Sequence, residues 1–396
     1  MGFQIRLLFL IGFITVVNYF DRSALSFAIL PIQKELGLTD AEFGMVLGAF
    51  GLGYFPMCFL AGFLLDRFGS IGTWAIGCAV WSLCTLSFSF AESFWEMVLL
   101  RTLLGFAEAF HFPALLKTIT DWLSPSHRAK AISFALLGVP VASVIGSPFL
   151  TWLLKTMGWR SMFVALGLMG LAWALLWPLS FYRRGKGRYF SEEKGVRFSK
   201  IGKDPALLGS CIAYFAFGYI VFFGLLWLPG FLEKQVGLNL EKTGILLMIP
   251  WGFSALLILA GGAVSDWILK QTGSLRKARS YLIMGGLFLA GVSFSLIPYA
   301  KSTAAVMALL SLGLGCGFFL NAPIYALNAD LFRARVGTAQ GMMTAFFGLA
   351  GVIAPVMTGF LVGWSGTFGA AFWLMAFVCG LGTVAVFIRP LSKLNF

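Results

Sequence analysis

Four ionisable residues stand where the sequence around them is almost entirely apolar: Asp21 and Arg22 in VVNYFDRSALSFAIL (16–30), and Arg101 and Glu108 in RTLLGFAEAFHFPALLK (101–117). An ionised side chain in hydrocarbon costs several kcal/mol on insertion scales, so such residues face a cavity or one another. Asp21 and Arg22 are sequence neighbours about 100° apart on a helix, which leaves each in need of a partner elsewhere. Arg101 and Glu108 are two turns apart on one helical face, and Asp21 and Glu108 fall near the middle of their apolar runs. The first and fourth runs are therefore expected to meet and share one charge cluster. Its charges cancel when all four groups are ionised. Protonating both acids leaves two guanidiniums, which suit an organic anion through bidentate contacts. Proton loading and anion binding then favour each other, which is symport. The bland alternative is a structural lock between helices.

The elements that must carry these residues follow from composition. Of the 396 residues, 59% are hydrophobic and 11% charged, against roughly 25% charged in a soluble domain. About twelve apolar runs recur, near 7–31, 43–65, 72–91, 95–120, 129–154, 160–181, 206–231, 242–268, 280–299, 302–328, 336–363 and 368–389. Each is long enough to cross a ~30 Å hydrocarbon layer as a helix. The fold class is an all-α, multi-pass membrane protein. The first run is not a cleaved leader, being too long and charged at its centre. All six cysteines fall inside apolar runs, so disulfides are not expected and no metal-ligand spacing appears.

The formal charge of +13 reads as orientation rather than as a nucleic-acid surface. With both termini cytoplasmic, 20 of the 29 lysines and arginines fall in cytoplasmic segments, as the positive-inside rule requires. Eight of them lie in RRGKGRYFSEEKGVRFSKIGKDP (183–205), a hydrophilic linker between two expected six-helix bundles, 1–182 and 206–396. A weak internal repeat supports the division: GFLLDRFGS (62–70) matches GGAVSDWIL (261–269), and DWLSPSHRAKA (121–131) matches ADLFRARVGTA (329–339). Transporters built from parallel repeats look like this, with the substrate site between the halves near the bilayer midplane.

GFLLDRFG resembles the loop signature of the major facilitator superfamily, although Ser70 and Ile71 replace its final two basic residues. NYFDRSALSFAILPIQKELGLT, RTLLGFAEAFHFPALLKTITDWLSP and WLPGFLEKQVGL resemble its anion:cation symporter branch nearly end to end. That branch includes hexuronate and hexonate carriers and is related to sialin and the vesicular glutamate transporters. The resemblance implies a secondary transporter, not an enzyme, with no cofactor or metal, acting as a monomer in a bacterial inner membrane. It assigns proton coupling to Asp21 and Glu108, and anion binding or guidance to Arg22 and Arg101. By family position Tyr54 and Asn321 line the substrate site, and His111, where the family commonly has Asn, tunes it or relays a proton. Asp66, Arg67, Asp121 and Arg128, with their echoes Asp266, Asp330, Arg333 and Arg335, are expected to latch the inner gate. In that echo, Trp267 occupies the place of an arginine. Lys117 and Asp121 read as a helix-end pair.

The fifth and eleventh runs carry Leu136, Val139, Pro140, Thr344 and Gly348 where sugar-acid carriers show polar side chains. A polyol there leaves hydroxyls unpaired, at about 1–3 kcal/mol each. A carboxylate substrate is therefore expected, with sugar acids, aromatic acids, dicarboxylates and polycarboxylate chelates all open, and sodium able to replace the proton. An exporter of drugs or metabolites in the same fold is the alternative, and Arg22 with Arg101 argues against it.

Overall fold

The computed structural model describes residues 2–123, 138–181, 204–332 and 336–388, and the regular structure among them is helical. The chain divides into two compact units, Met1–Lys194 and Gly195–Phe396. Eleven helical stretches are long and apolar enough to cross a membrane. One of these, within α7 (Gly138–Leu179), runs from Pro140 to Leu179, about twice the length a bilayer needs. It breaks at Gly158, whose φ of 76° lies in the left-handed region that glycine tolerates. Counted on either side of that break, the described helices make twelve crossings.

The first unit contains α1 (Gly2–Phe27), α2 (Ile29–Leu36), α3 (Asp40–Phe68), α4 (Ser70–Ser87), α5 (Phe94–Glu108), α6 (His111–Trp122) and α7. Thr39 and Ser93 start α3 and α5 as capping boxes, with Glu42 and Glu96 returning the bond. The second unit contains α8 (Pro205–Leu226), α9 (Leu228–Lys234), α10 (Leu240–Leu246), α11 (Met248–Thr272), α12 (Tyr281–Leu296), α13 (Thr303–Phe319), α14 (Asn321–Leu331), α15 (Val336–Ser365) and α16 (Gly369–Phe387). A π-helical turn, Arg276–Ser280, leads into α12.

Several crossings are broken rather than straight, and proline explains where. Pro31 has no N–H to offer the Phe27 carbonyl, and α1 gives way to α2 at Ala28. Pro113 leaves the Ala109 carbonyl open, at the gap between α5 and α6. Pro229, Pro250 and Pro323 stand in the same relation to the breaks at Trp227, Leu247 and Leu320. The breaks fall in corresponding places in the two units for the first and seventh crossings and for the fourth and tenth.

The internal packing repeats as well. In the first unit α3 packs on α5, α1 on α7 and α4 on α7; in the second, α11 packs on α13, α8 on α15 and α12 on α16. One contact bears directly on the charge cluster. A Cβ at Gly53 would collide with the Thr102 carbonyl, and one at Gly105 with the Phe50 carbonyl. Only glycine lets the α3 and α5 backbones come this close, and that closeness fixes the height of residue 50 against Arg101. At one end of the unit, Glu35 of α2 accepts bonds from Trp159 Nε1 (2.7 Å) and Arg160 Nη2 (2.8 Å), while Arg160 Nη1 donates to the Ser89 carbonyl (2.6 Å).

Candidate functional site

The structure brings Asp21, Arg22, Arg101 and Glu108 together inside the first unit. Arg22 Nε donates to Glu108 Oε2 at 2.7 Å, joining α1 to the end of α5, and both side chains are almost wholly buried. The pair is single-armed: Arg22 Nη2 and Glu108 Oε1 are buried with no hydrogen-bond partner. One donor and one acceptor of the pair are thus left over. Arg101 spends its guanidinium differently, with Nη2 donating to the Arg22 carbonyl at 3.0 Å and Nη1 reaching the Asp21 carbonyl at 3.4 Å. It ties α5 to the α1 backbone beside the two charges. Asp21 is 1% exposed and neither carboxyl oxygen accepts a hydrogen bond.

Aromatic rings enclose the cations. The Arg22 guanidinium carbon lies 4.8 Å from the centre of Phe50, 4.9 Å from Tyr54 and 5.3 Å from Tyr19. The Arg101 carbon lies 5.3 Å from the same Phe50 ring. Phe50 and Tyr54, one turn apart on α3, stack at 5.3 Å. Stacking of this kind suits a planar guanidinium in a dry site and leaves its edges for hydrogen bonds.

His111 opens α6 just past the break, fully buried among Trp74, Trp81 and Phe112. Its Nε2 lies 3.3 Å from Thr15 Oγ1. Thr15 gives its hydroxyl hydrogen to the Ile11 carbonyl at 2.8 Å, so towards His111 it accepts. The ring hydrogen therefore sits on Nε2, and Nδ1 is a buried acceptor without a donor. The histidine joins α6 to α1 behind the charge cluster.

Asn321 begins α14 in the second unit. Arg67 is exposed and stacks on its neighbour Phe68, 5.3 Å to the ring centre. Asp121 is buried near the end of α6. Arg128, Arg333 and Arg335, with Leu136, lie outside the described residues, as do the side chains of Asp66 and Val139. Tyr214 donates to the Tyr325 hydroxyl at 3.1 Å, a contact between α8 and α14.

One residue of the second-unit echo escapes sequence reading. Arg279, on the π-helical turn, donates from Nη1 to Asp266 Oδ1 (2.9 Å) and Ser265 Oγ (2.5 Å), with Nε 3.5 Å from Asp330 Oδ2. Ser265 in turn donates to the Ala278 carbonyl at 2.5 Å. Trp267 is 62% exposed, and the cation missing from its position is supplied by the next helix. The signal available was a basic residue 13 positions after Asp266, otherwise read only as an orientation charge. Among the described residues no group of three or more metal-ligating side chains is assembled.

The chain is similar to known proteins along nearly its whole length. The sequence model described as "Major Facilitator Superfamily" matches residues 11–332, with an overlapping match at 277–394. A hexuronate transporter of Bacillus subtilis is 31% identical over 98% of this chain and 94% of its own length. A probable sulfoacetate transporter of Cupriavidus necator is also 31% identical, over 96% and 92%. A probable L-galactonate transporter of Escherichia coli is 28% identical over 99% and 90%. Among solved structures, a bacterial homologue of the human lysosomal transporter Spinster, inward-facing and occupied, superposes with a TM-score of 0.81 at 18% identity, covering 98% of this chain and 97% of that one.

Proposed function

The chain belongs to the major facilitator superfamily of membrane transporters, and from that membership we propose that it imports an organic anion by proton symport through alternating access. The observation that carries this reading is the single-armed Arg22–Glu108 pair inside an aromatic enclosure. A guanidinium with a free edge, held in a site closed to water, offers an anion charge-assisted bonds at little reorganisation cost. The pair is also switchable: a proton on Glu108 releases Arg22, and the anion takes the place of the carboxylate.

Asp21 and Glu108 take the proton-coupling roles. A buried carboxyl group that accepts no hydrogen bond, as Asp21 is, is a costly place for a bare charge, and carrying its proton removes that cost. Arg22 and Tyr54 contact the anion, and Asn321 keeps the substrate-lining role that its family position implies. Arg101 guides the site by holding the α1 backbone, and His111 by joining α6 to α1. Asp266, Asp330 and Arg279 act as a latch within the second unit, and Asp66, Arg67, Asp121 and Arg128, with Arg333 and Arg335, complete the gating set. The relatives carry hexuronate, sulfoacetate or galactonate by name, which supports a carboxylate or sulfonate of that size. The positive-inside count supports cytoplasmic termini, and the bacterial relatives support an inner-membrane location; a monomer is the working unit of this proposal.

Purified protein in liposomes holding a pH-sensitive dye tests this. D-glucuronate, L-galactonate, D-glucarate and sulfoacetate are added one at a time. Acidification inside the vesicles with one of them is expected. Silence with all four, together with alkalinisation when a lipophilic cation is supplied, would establish an exporter and end the symport reading.

A further inference from the structure

The Phe50 side chain has no polar atom and the residue is 2% exposed, so its ring forms no hydrogen bond to a ligand. Yet among the described rings it is the one that both buried guanidiniums share, Arg22 at 4.8 Å and Arg101 at 5.3 Å. Two cations this close repel, and the negative face of an aromatic ring offsets part of that repulsion in a dry site. The ring is also firmly placed. Its own carbonyl lies against Gly105 and the next turn against Thr102, contacts that nothing larger than glycine allows, and Tyr54 stacks on it. Glu108, by contrast, holds Arg22 by a single bond to Nε, and that bond weakens once the carboxylate is neutral. Packing alone accounts for a large buried residue here, but not for its sitting against both cations.

We propose that Phe50 is a positioning residue of the anion site: its ring keeps the Arg22 and Arg101 guanidiniums aimed for the anion in the part of the cycle when Glu108 carries a proton and no longer holds Arg22. This rests on the symport reading above and adds to it the element that preserves the site between the two partners of Arg22. An aliphatic residue of similar volume fills the space without the ring's charge distribution, so Phe50→Met separates positioning from packing. Phe50→Tyr keeps the ring.

The test measures counterflow exchange in liposomes, with D-glucuronate as probe or whichever of the four anions the wild type carries, at pH 6 and pH 8. Phe50→Leu and Phe50→Met are expected to raise KM roughly five- to ten-fold at pH 6, with the maximal rate changed less than about two-fold. The rise is smaller at pH 8, since higher pH favours the carboxylate that holds Arg22, and Phe50→Tyr stays near wild type at both. An unchanged KM in the Met variant overturns the proposal, as does an equal rise at both pH values that tyrosine fails to rescue. Should Phe50→Leu not fold, the Met and Tyr variants decide alone. A wild type silent to all four anions that alkalinises the vesicles with a lipophilic cation removes the symport reading and this inference with it; an active wild type with a normal Met variant removes the inference only.

Discussion

Glu233, near the end of α9, keeps one carboxyl oxygen buried with no hydrogen-bond partner, and burial pushes its pKa up to about 7. An acid whose pKa is raised on folding binds its proton more tightly in the folded state. Its contribution is therefore least costly below the ordinary carboxylate range, and the fold loses stability as pH rises from there to about 7. Glu233→Gln removes that dependence. Its melting temperature should match wild type near pH 4.5 and exceed it increasingly up to pH 7, with a plateau beyond. The gain is on the order of 1 kcal/mol, because the group is only partly buried and water screens it. Equal melting curves at pH 8 would show that the carboxylate finds water. Residues of this kind mark the limit of what the sequence shows. Asp21, Arg22, Arg101 and Glu108 announce themselves because charge in an apolar run has few explanations. Phe50 is an apolar residue among apolar residues, Glu233 looks like any charge at a helix end, and Arg279 reads as one more orientation charge. Their roles arise from what lies across from them, which spacing along one helix does not reveal.

At the level of elements, the crossings are legible because an apolar run of about 20 residues has one stable form in hydrocarbon. Their breaks follow from Pro31, Pro113, Pro229, Pro250 and Pro323, each of which removes a backbone donor a few residues after the gap. The closeness of α3 and α5 is harder to read, since Gly53 and Gly105 are two glycines among 47. What distinguishes them is the opposing carbonyl. Gly105→Ala or Gly53→Ala forces the two helices apart, and overpacking of that kind costs about 1–3 kcal/mol. Both should lower the melting temperature of the purified protein and weaken anion affinity, because Phe50 and Tyr54 retreat from Arg22. Gly72→Ala, where an added Cβ meets nothing within 4 Å, is the control and should leave both measurements unchanged. If Gly105→Ala is as harmless as the control, the α3–α5 contact does not set the geometry of the charge cluster.

On the scale of the whole molecule, the two units repeat their packing and their helix breaks but not their chemistry. The first holds Asp21, Arg22, Arg101 and Glu108; in the second, the comparable buried cation among the described residues is Arg279, which lies beside Asp266 and Asp330. On the symport reading proposed above, this asymmetry would put the proton-linked step in the first unit. In a symporter, uphill uptake requires the carrier to return empty after releasing its protons, whereas exchange of one anion for another uses the loaded form alone. A neutral amide at Asp21 or Glu108 imitates the protonated acid permanently, so the loaded form still reorients while proton release is abolished. Asp21→Asn and Glu108→Gln are therefore expected to lose proton-driven uptake ten-fold or more and to keep counterflow within about three-fold of wild type. The Glu108 variant carries the added test that Arg22 is no longer held by a carboxylate, so its affinity for the anion at pH 8 should rise towards the value seen at pH 6. Loss of both activities together would mean that breaking the buried pair, at about 3–5 kcal/mol, disrupts the bundle itself. The four charges would then be a lock between α1 and α5 rather than a coupling site.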